Sequence, residues 1–304
     1  MNEFNDKEYA ILIGNLLHDT KCADISNMGK MAGIRKHAEV MVRKILNLGN
    51  SVYLTLGQVK LKSSNKDVRK GLEDLGSDLS AKLVDAVRII NPLGRDGTHT
   101  QHTDNFSDEE VERVEDALLD MYALIFIRFF LKNHISIYTS PVILHEFSIL
   151  PPTIRYKTWS YLYEIDKFNI QIANKLCLSI IKTYSKEIAL KWLNENEENL
   201  RAIPYPNDDE RKRYMRLGGY EIKPGLYQVS IDFDKFNNIY DLLYAKIMDK
   251  RTSVNESGKM YKTFEDAINH YTNYKSMNIP SVSDELAEFH SLMEFVYLGR
   301  KSKD

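Results

Sequence analysis

The chain has 304 residues, of which 43% are hydrophobic and 28% charged, and its formal net charge is −2. This composition supplies a sizeable core, enough for one large domain or two of ordinary size, and excludes a disordered chain. Residues 1–138 hold 18 basic and 20 acidic residues, and residues 139–304 hold 23 of each. The balance in both halves excludes a globally basic nucleic-acid coat and a polyanion mimic, and leaves room for a local phosphate-binding cleft.

Three features indicate a cytoplasmic protein. Cys22 and Cys177 lie far apart in no Cys or His cluster, so neither a disulfide framework nor a zinc site is expected. The acidic N-terminus has no basic leader before an apolar run, so no signal peptide is expected. The most apolar window, residues 117–131, is too short for a membrane span and contains Asp120 and Arg128.

The first half predicts an up-and-down helical bundle. Apolar residues recur every three or four positions in several segments, which is the period of one helical face. Ser107 and Glu110 form a capping box, with Phe106 and Val111 placed as a hydrophobic staple. The polar segment that starts at Pro92 and runs to this cap predicts a loop. The predicted helices cover residues 9–17, 34–48, 79–90 and 111–133.

The second half predicts a mostly helical domain. Pro141 and the pair Pro151-Pro152 indicate a boundary after residue 138, because a residue before proline resists helix. The predicted fold class is therefore mainly α, with an N-terminal bundle at 1–138 and a C-terminal domain at 139–304. A small β-hairpin is predicted from residues 220–222 and 227–231. Helices are predicted at 154–165, 169–183, 186–194, 236–248, after Thr263, and at 283–298.

Common catalytic motifs are missing from the sequence. It contains no Gly-x-Ser-x-Gly, no Walker A loop and no His-Glu-x-x-His. What stands out is the polar loop Gly94-Arg95-Asp96-Gly97-Thr98-His99-Thr100-Gln101-His102, which combines an arginine with two histidines between two predicted helices.

That loop resembles the signature of the HEPN superfamily, which has an arginine, a polar residue directly after it and then a histidine. Here these are Arg95, Asp96 and His102, with six residues between the arginine and the histidine. Arg35-Lys36-His37-Ala38-Glu39 resembles the Arg-x-x-x-Glu row of the branch often appended to restriction and defence proteins. Thr55-Leu56-Gly57 is similar to that branch as well. The resemblance covers about residues 25–133 and implies a helical bundle, while nothing after residue 140 carries it.

The resemblance implies an endoribonuclease that needs no metal or other cofactor, in which arginine and histidine of two protomers meet across a homodimer interface. Its RNA substrate supplies the 2′-OH as nucleophile. His102 would act as general base or acid, Arg95 would bind the phosphate and Asp96 would orient its neighbours. A toxin or anti-phage defence role follows from the same branch, with the second half as regulator or dimerisation element, or with a regulatory protein partner.

Several alternatives stand beside this interpretation. His99 competes with His102 as the functional histidine, and Asp96, His99 and His102 have a spacing that a metal site also uses. Arg95 could instead cap the preceding helix. The alternative function is a non-catalytic module of the same fold that binds nucleic acid, nucleotide or a protein partner.

Two charged segments have their own interpretations. Arg35, Glu39 and Arg43 favour a salt-bridge row, with Glu39 as a candidate to orient the loop. Arg211-Lys212-Arg213 is a candidate RNA contact, although the acidic residues 208–210 directly before it favour a solvated helical face.

Overall fold

A computed structural model describes residues 3–21, 25–96, 105–218, 220–223, 226–228, 232, 234–250, 261–277, 280 and 282–301. Over these residues the protein is mainly α-helical, which confirms the predicted fold class. The first half contains two short 3-10 helices, Asp6–Tyr9 and Leu56–Gln58. Its α-helices are α1 (Ala10–Lys21), α2 (Asn27–Leu46), α3 (Lys66–Leu75), α4 (Ser77–Asp96) and α5 (Asp108–Lys132).

The second half continues with shorter helices and one antiparallel ribbon. The ribbon joins β1 (Tyr220–Lys223) to β2 (Leu226–Gln228), so the predicted hairpin is present. The helices are α6 (Pro141–Ile149), α7 (Pro152–Ile165), α8 (Ile170–Thr183), α9 (Lys186–Glu195), α10 (Glu197–Arg201), α11 (Asp208–Gly218), α12 (Ile239–Met248), α13 (Phe264–Ser276) and α14 (Asp284–Val296).

Side-chain caps set several helix starts where the sequence predicts them. The Ser107 hydroxyl accepts from the Glu110 backbone N–H at 3.2 Å, and the Glu110 carboxylate accepts from the Ser107 N–H at 2.9 Å. Thr263 and Asp266 form the same reciprocal pair at the start of α13. These caps satisfy backbone donors that the first turn of a helix leaves open.

The end of α4 corrects the sequence-based boundary. The helix was expected to stop before Pro92, whereas α4 continues through Pro92 to Asp96. Proline has no backbone N–H and its ring crowds the carbonyl group four residues earlier, so α4 continues past Pro92 without one of its backbone hydrogen bonds. Arg95 and Asp96 are therefore helical, and residues 97–104, the next part of the segment predicted as a loop, lie outside the described residues.

The two halves share one hydrophobic core. Aromatic rings of α5 contact rings from three later helices, with centroid distances of 5.2 Å for Phe126–Phe147, 5.0 Å for Phe130–Trp159 and 5.0 Å for Phe129–Phe289. Such pairs contribute about 0.5–1.5 kcal/mol each beyond the apolar area that they bury. The boundary predicted after residue 138 thus lies between helices that pack on a common core.

The apolar window of residues 117–131 lies inside α5. Its Asp120 carboxylate accepts a hydrogen bond from Lys157 on α7 at 2.7 Å. Asp116, one turn earlier, accepts from the same ammonium group at 2.9 Å. Among the helices of the described ranges, none has both the length and the apolar character needed to cross a membrane.

Candidate functional site

The site begins where the last turn of α4 packs against α2. Gly94 lies so close to Arg35 that a Cβ placed on the glycine would come within 2.6 Å of the arginine Cβ. A separation this short leaves no space for any side chain at position 94. The glycine therefore lets α4 approach α2 at the point where the candidate loop leaves the helix.

Arg35 brings charge to this contact. Its guanidinium lies 3.9 Å from the Glu39 carboxylate one turn along α2, and both side chains are partly buried. The Arg35 Nε is buried without a hydrogen-bond partner among the residues that the structure describes. A buried N–H group without an acceptor costs free energy. A ligand that offered an acceptor to the Arg35 Nε–H would remove this cost and would form a charge-assisted hydrogen bond.

Glu39 is held in a semi-enclosed position beside this arginine. Burial raises the pKa of its carboxyl group above the ordinary value, while the positive charge of Arg35 and the backbone of Leu56 oppose the rise. Leu56 belongs to the short 3-10 helix whose Gly57 lies near Asn91 of α4. The sequence segments that resemble HEPN proteins, at residues 35–39 and 55–57, are thus brought to the last turns of α4.

The structure places only part of the predicted catalytic set. Arg95 and Asp96 occupy the final positions of α4, directly after Gly94. Their side chains, and the whole of His99 and His102, lie outside the described residues, as does Cys22. Of the predicted set, the structure therefore gives only the helical positions of Arg95 and Asp96, and the roles of Arg95, Asp96, His99 and His102 stay predictions.

The predicted charged row on α2 is only partly formed. Arg43 donates to the backbone carbonyl groups of Gly49 and Val52, at 3.2 and 2.8 Å. It therefore fixes the chain that follows α2, and among the described residues the ion pair of the row joins Arg35 to Glu39.

The second predicted cluster lies in α11. Lys212 forms an exposed ion pair with Asp209 at 3.8 Å, and the Arg211 Nε donates to the Pro206 carbonyl at 3.4 Å. Arg213 lowers the pKa of Glu210 electrostatically, against the larger effect of burial, which raises it. These contacts fit the charged helical face that the sequence favours, and RNA binding by Arg211, Lys212 and Arg213 stays a prediction.

A cavity of about 270 Å³ lies on another side of α2, between the first half and the start of α13. Its floor is a buried chain of hydrogen bonds. Arg300 donates to the Tyr122 hydroxyl at 2.9 Å and to the Glu265 carboxylate at 2.7 Å, and the Tyr122 hydroxyl lies 2.8 Å from His37 Nε2. Burial raises the pKa of Tyr122 above its ordinary value, so the phenol stays protonated. Apolar walls come from α1, α2 and α5.

Sequence reasoning missed this network because its members are distant along the chain. The one local signal is His37, a polar residue on the apolar stripe of α2 between Ile34 and Met41. Arg300 follows α14, and the sequence around it contains no motif that singles it out. Its guanidinium nevertheless lies 3.6 Å from the centre of the Phe264 ring, which holds the chain after α14 against α13.

The described residues contain no group of three or more His, Cys, Asp or Glu that could hold a metal ion. The side chains of Asp96, His99 and His102, whose spacing a metal site also uses, lie outside the described residues. Comparisons with models of protein families, with curated proteins and with solved structures find no match to this chain.

Proposed function

We propose that the protein is a metal-independent endoribonuclease of the HEPN type that works as a homodimer, as a toxin or anti-phage effector. The observation that carries the proposal is the close packing of Gly94 on Arg35. Gly94 directly precedes the predicted phosphate ligand Arg95, and Arg35 carries a buried Nε with no hydrogen-bond partner among the described residues and an ion pair with Glu39.

The chemistry needs few groups because RNA carries its own nucleophile. His102 accepts the proton of a 2′-OH, the 2′ oxygen attacks phosphorus, and the bond from phosphorus to the 5′ oxygen breaks. The leaving oxygen takes up a proton from the second copy of the loop. Arg95 offers a planar fork to the phosphate oxygens as negative charge develops on them. The products are a 2′,3′-cyclic phosphate and a 5′-hydroxyl end.

Arg35 and Glu39 have supporting roles in this scheme. The Arg35 Nε, which has no hydrogen-bond partner among the described residues, carries a burial cost that a backbone carbonyl group of the candidate segment would remove. Glu39 keeps the Arg35 fork oriented through the ion pair along α2. Both are positioning residues, since neither is assigned contact with the reacting atoms.

The test is cleavage of one RNA sequence in EDTA, compared with the same sequence built from 2′-deoxynucleotides. The proposal predicts cleavage of the RNA, cyclic phosphate ends that persist in EDTA, and an intact deoxy strand. Cleavage that requires Mg²⁺, or that leaves 5′-phosphate ends, would contradict it.

The second candidate is a non-catalytic binding module, and the cavity beside Tyr122 favours it. Ligand sites are commonly apolar cavities with a few fixed polar groups, as found here. In that case every RNA stays intact with or without EDTA, while a small ligand raises the melting temperature of wild type and not of Tyr122→Phe.

A further inference from the structure

The cavity beside Tyr122 has the size of a small-molecule site. Its volume of about 270 Å³ lies close to the lower end of the range for such sites. An engineered apolar cavity of about 150 Å³ holds benzene, so this one has room for two fused six-membered rings, about ten non-hydrogen atoms. The apolar part of its lining comes from Leu17, Ile34, Leu118, Leu119, Pro151 and Phe264.

Internal contacts hold the floor of this cavity in place. Arg300 bonds to Tyr122 at 2.9 Å and to Glu265 at 2.7 Å, and its guanidinium lies 3.6 Å from the centre of the Phe264 ring. The Tyr122 and Phe264 rings are themselves in contact, with centroids 5.2 Å apart. Polar groups that are fixed before a ligand arrives lower the entropic cost of binding it.

Arg300 has hydrogen-bond donors left over. A guanidinium group carries five N–H donors. Among the described residues three of them have an acceptor, since Nε donates to the Val296 carbonyl group at 2.7 Å, Nη1 to Glu265 and Nη2 to Tyr122. The side chain is only 4% exposed and lines the cavity. Buried donors without an acceptor cost free energy, so a ligand that brings an acceptor oxygen removes part of that cost.

The start of α13 favours the same kind of ligand. Phe264 and Glu265, its first two residues, line the cavity, and in the described part of the chain their backbone N–H groups have no acceptor. The Thr263 hydroxyl accepts from the Asp266 N–H instead. The first turn of a helix also carries a partial positive charge, which stabilises a nearby acceptor oxygen.

The charged residues around the cavity favour an uncharged ligand. Two of them are basic, Lys262 and Arg300, and two are acidic, Glu115 and Glu265. Arg300 and Glu265 are buried and bond to each other, so the deep part of the cavity is balanced in charge. A carboxylate placed there would add an unbalanced negative charge, with a desolvation cost that a carbonyl group avoids.

We propose that the cavity beside Tyr122 binds an uncharged bicyclic aromatic molecule whose carbonyl oxygen accepts a hydrogen bond from Arg300. The fused rings pack on the apolar lining and on the Tyr122 and Phe264 rings. This assignment deepens the second candidate function, from which it takes the cavity as a ligand site, and it does not depend on RNA cleavage.

The first test compares coumarin with 2H-chromene, in which a CH₂ group replaces the carbonyl group, by equilibrium dialysis. Wild type should bind coumarin at least tenfold more tightly, because only coumarin offers an acceptor to a charged donor. Arg300→Lys keeps a positive charge beside Glu265 and loses the planar fork, so this ratio should fall below about threefold while the affinity for 2H-chromene stays the same. Equal affinities of wild type for the two compounds would overturn the role of Arg300.

The second test locates the bound molecule. Gly33 on α2 lines the cavity and precedes His37 by four residues, so a side chain at either position lies on the same helix face. Gly33→Leu should weaken coumarin binding at least tenfold without lowering the melting temperature, because leucine is favoured over glycine inside a helix. Leu119→Trp, which enlarges a half-buried residue of the α5 wall, should give the same loss of binding. Lys36→Leu, at an exposed position of α2, is the matched control and should bind as wild type does. Wild-type affinity in both blocking variants would overturn the location.

A third measurement tests the charge of the ligand. 2-Naphthoate, two fused rings with a carboxylate, should bind at least tenfold more weakly than coumarin. Tighter binding of 2-naphthoate would overturn the choice of an uncharged ligand. If another small molecule stabilises wild type and not Tyr122→Phe, while dialysis detects no bound coumarin, the binding module stands and the ligand class proposed for it is wrong.

Discussion

Gly94 on α4 and Arg35 on α2 are packed so closely that the glycine hydrogen occupies the only space available. The ideal Cβ position of residue 94 lies 2.6 Å from the Arg35 Cβ and 2.9 Å from its Cδ. This contact fixes where the last turn of α4 lies, and Arg95 follows Gly94 directly in that turn. The geometry of the candidate site therefore depends on a residue without a side chain.

Gly94→Ala is expected to push the last turn of α4 away from α2 or to displace the Arg35 side chain. We expect a loss of about 1–3 kcal/mol in the free energy of unfolding, because overpacking forces shifts of this kind. RNA cleavage should fall at least tenfold. Gly57→Ala is the control, since the nearest atom to its added Cβ is 3.9 Å away. Wild-type stability and cleavage in Gly94→Ala would refute this view of the contact.

Arg300→Met should destabilise the fold strongly. The Arg300 and Glu265 side chains are 4% and 7% exposed and bond at 2.7 Å, so the substitution leaves a carboxylate buried beside a phenol without its counterion. Breaking such a pair costs about 3–5 kcal/mol. Urea unfolding of the variant measures the loss. Lys132→Met, which breaks a largely exposed pair with Glu288, should cost less than about 1 kcal/mol.

Glu146 should make stability depend on pH. Burial raises the pKa of this carboxyl group to about 7, and its Oε1 lies 2.9 Å from His290 Nε2. A folded-state pKa above the ordinary value of about 4.3 means that the protonated form is favoured by folding, so this stability is complete below that value and is lost as pH rises through 7. Wild type should lose about 1–3 kcal/mol between pH 5 and pH 8 relative to Glu146→Gln. Parallel pH profiles for the two proteins would show that burial of Glu146 has no such effect.

Gly299→Ala tests how the chain after α14 docks on α1. Gly299 has φ +70°, and an added Cβ would lie 2.6 Å from the backbone nitrogen of Gly14. Gly76 also has positive φ, at +88°, with open space around it. Gly76→Ala therefore measures backbone strain alone, about 1–3 kcal/mol at φ +88° and ψ +158°, and Gly299→Ala should cost at least about 1 kcal/mol more. Equal melting temperatures for the two variants would contradict the close approach.

Local signals predicted much of the helical frame. The capping box at Ser107 and the Thr263 start are confirmed because caps are set by residues within one turn. The helix end predicted before Pro92 is wrong, because α4 continues past the proline without one backbone hydrogen bond. Helix α3, which begins after Asn65, was missed although its cap is local. Helix α6, which starts at Pro141, was read as a break because proline is favoured at the first helical position as well as after a helix.

The contacts that build the candidate sites are harder to predict from the sequence than the helices are. Gly94 and Arg35 are 59 positions apart, and only the tertiary packing of α2 and α4 reveals their contact. The buried set of His37, Tyr122 and Arg300 spans most of the chain, and each member looks ordinary in its own segment.

The central claim is that the segment from Arg95 to His102 cleaves RNA, and variants of its own residues test it most directly. In EDTA, wild type should release 2′,3′-cyclic phosphate ends, while Arg95→Ala and His102→Ala should each lower the rate at least a hundredfold at unchanged melting temperature. Arg88→Ala is the matched control, an exposed arginine of the same helix that bonds to Asp85. His99→Ala shows which histidine acts. Wild-type rates in Arg95→Ala and in both histidine variants, or no cleavage by wild type, would contradict the account.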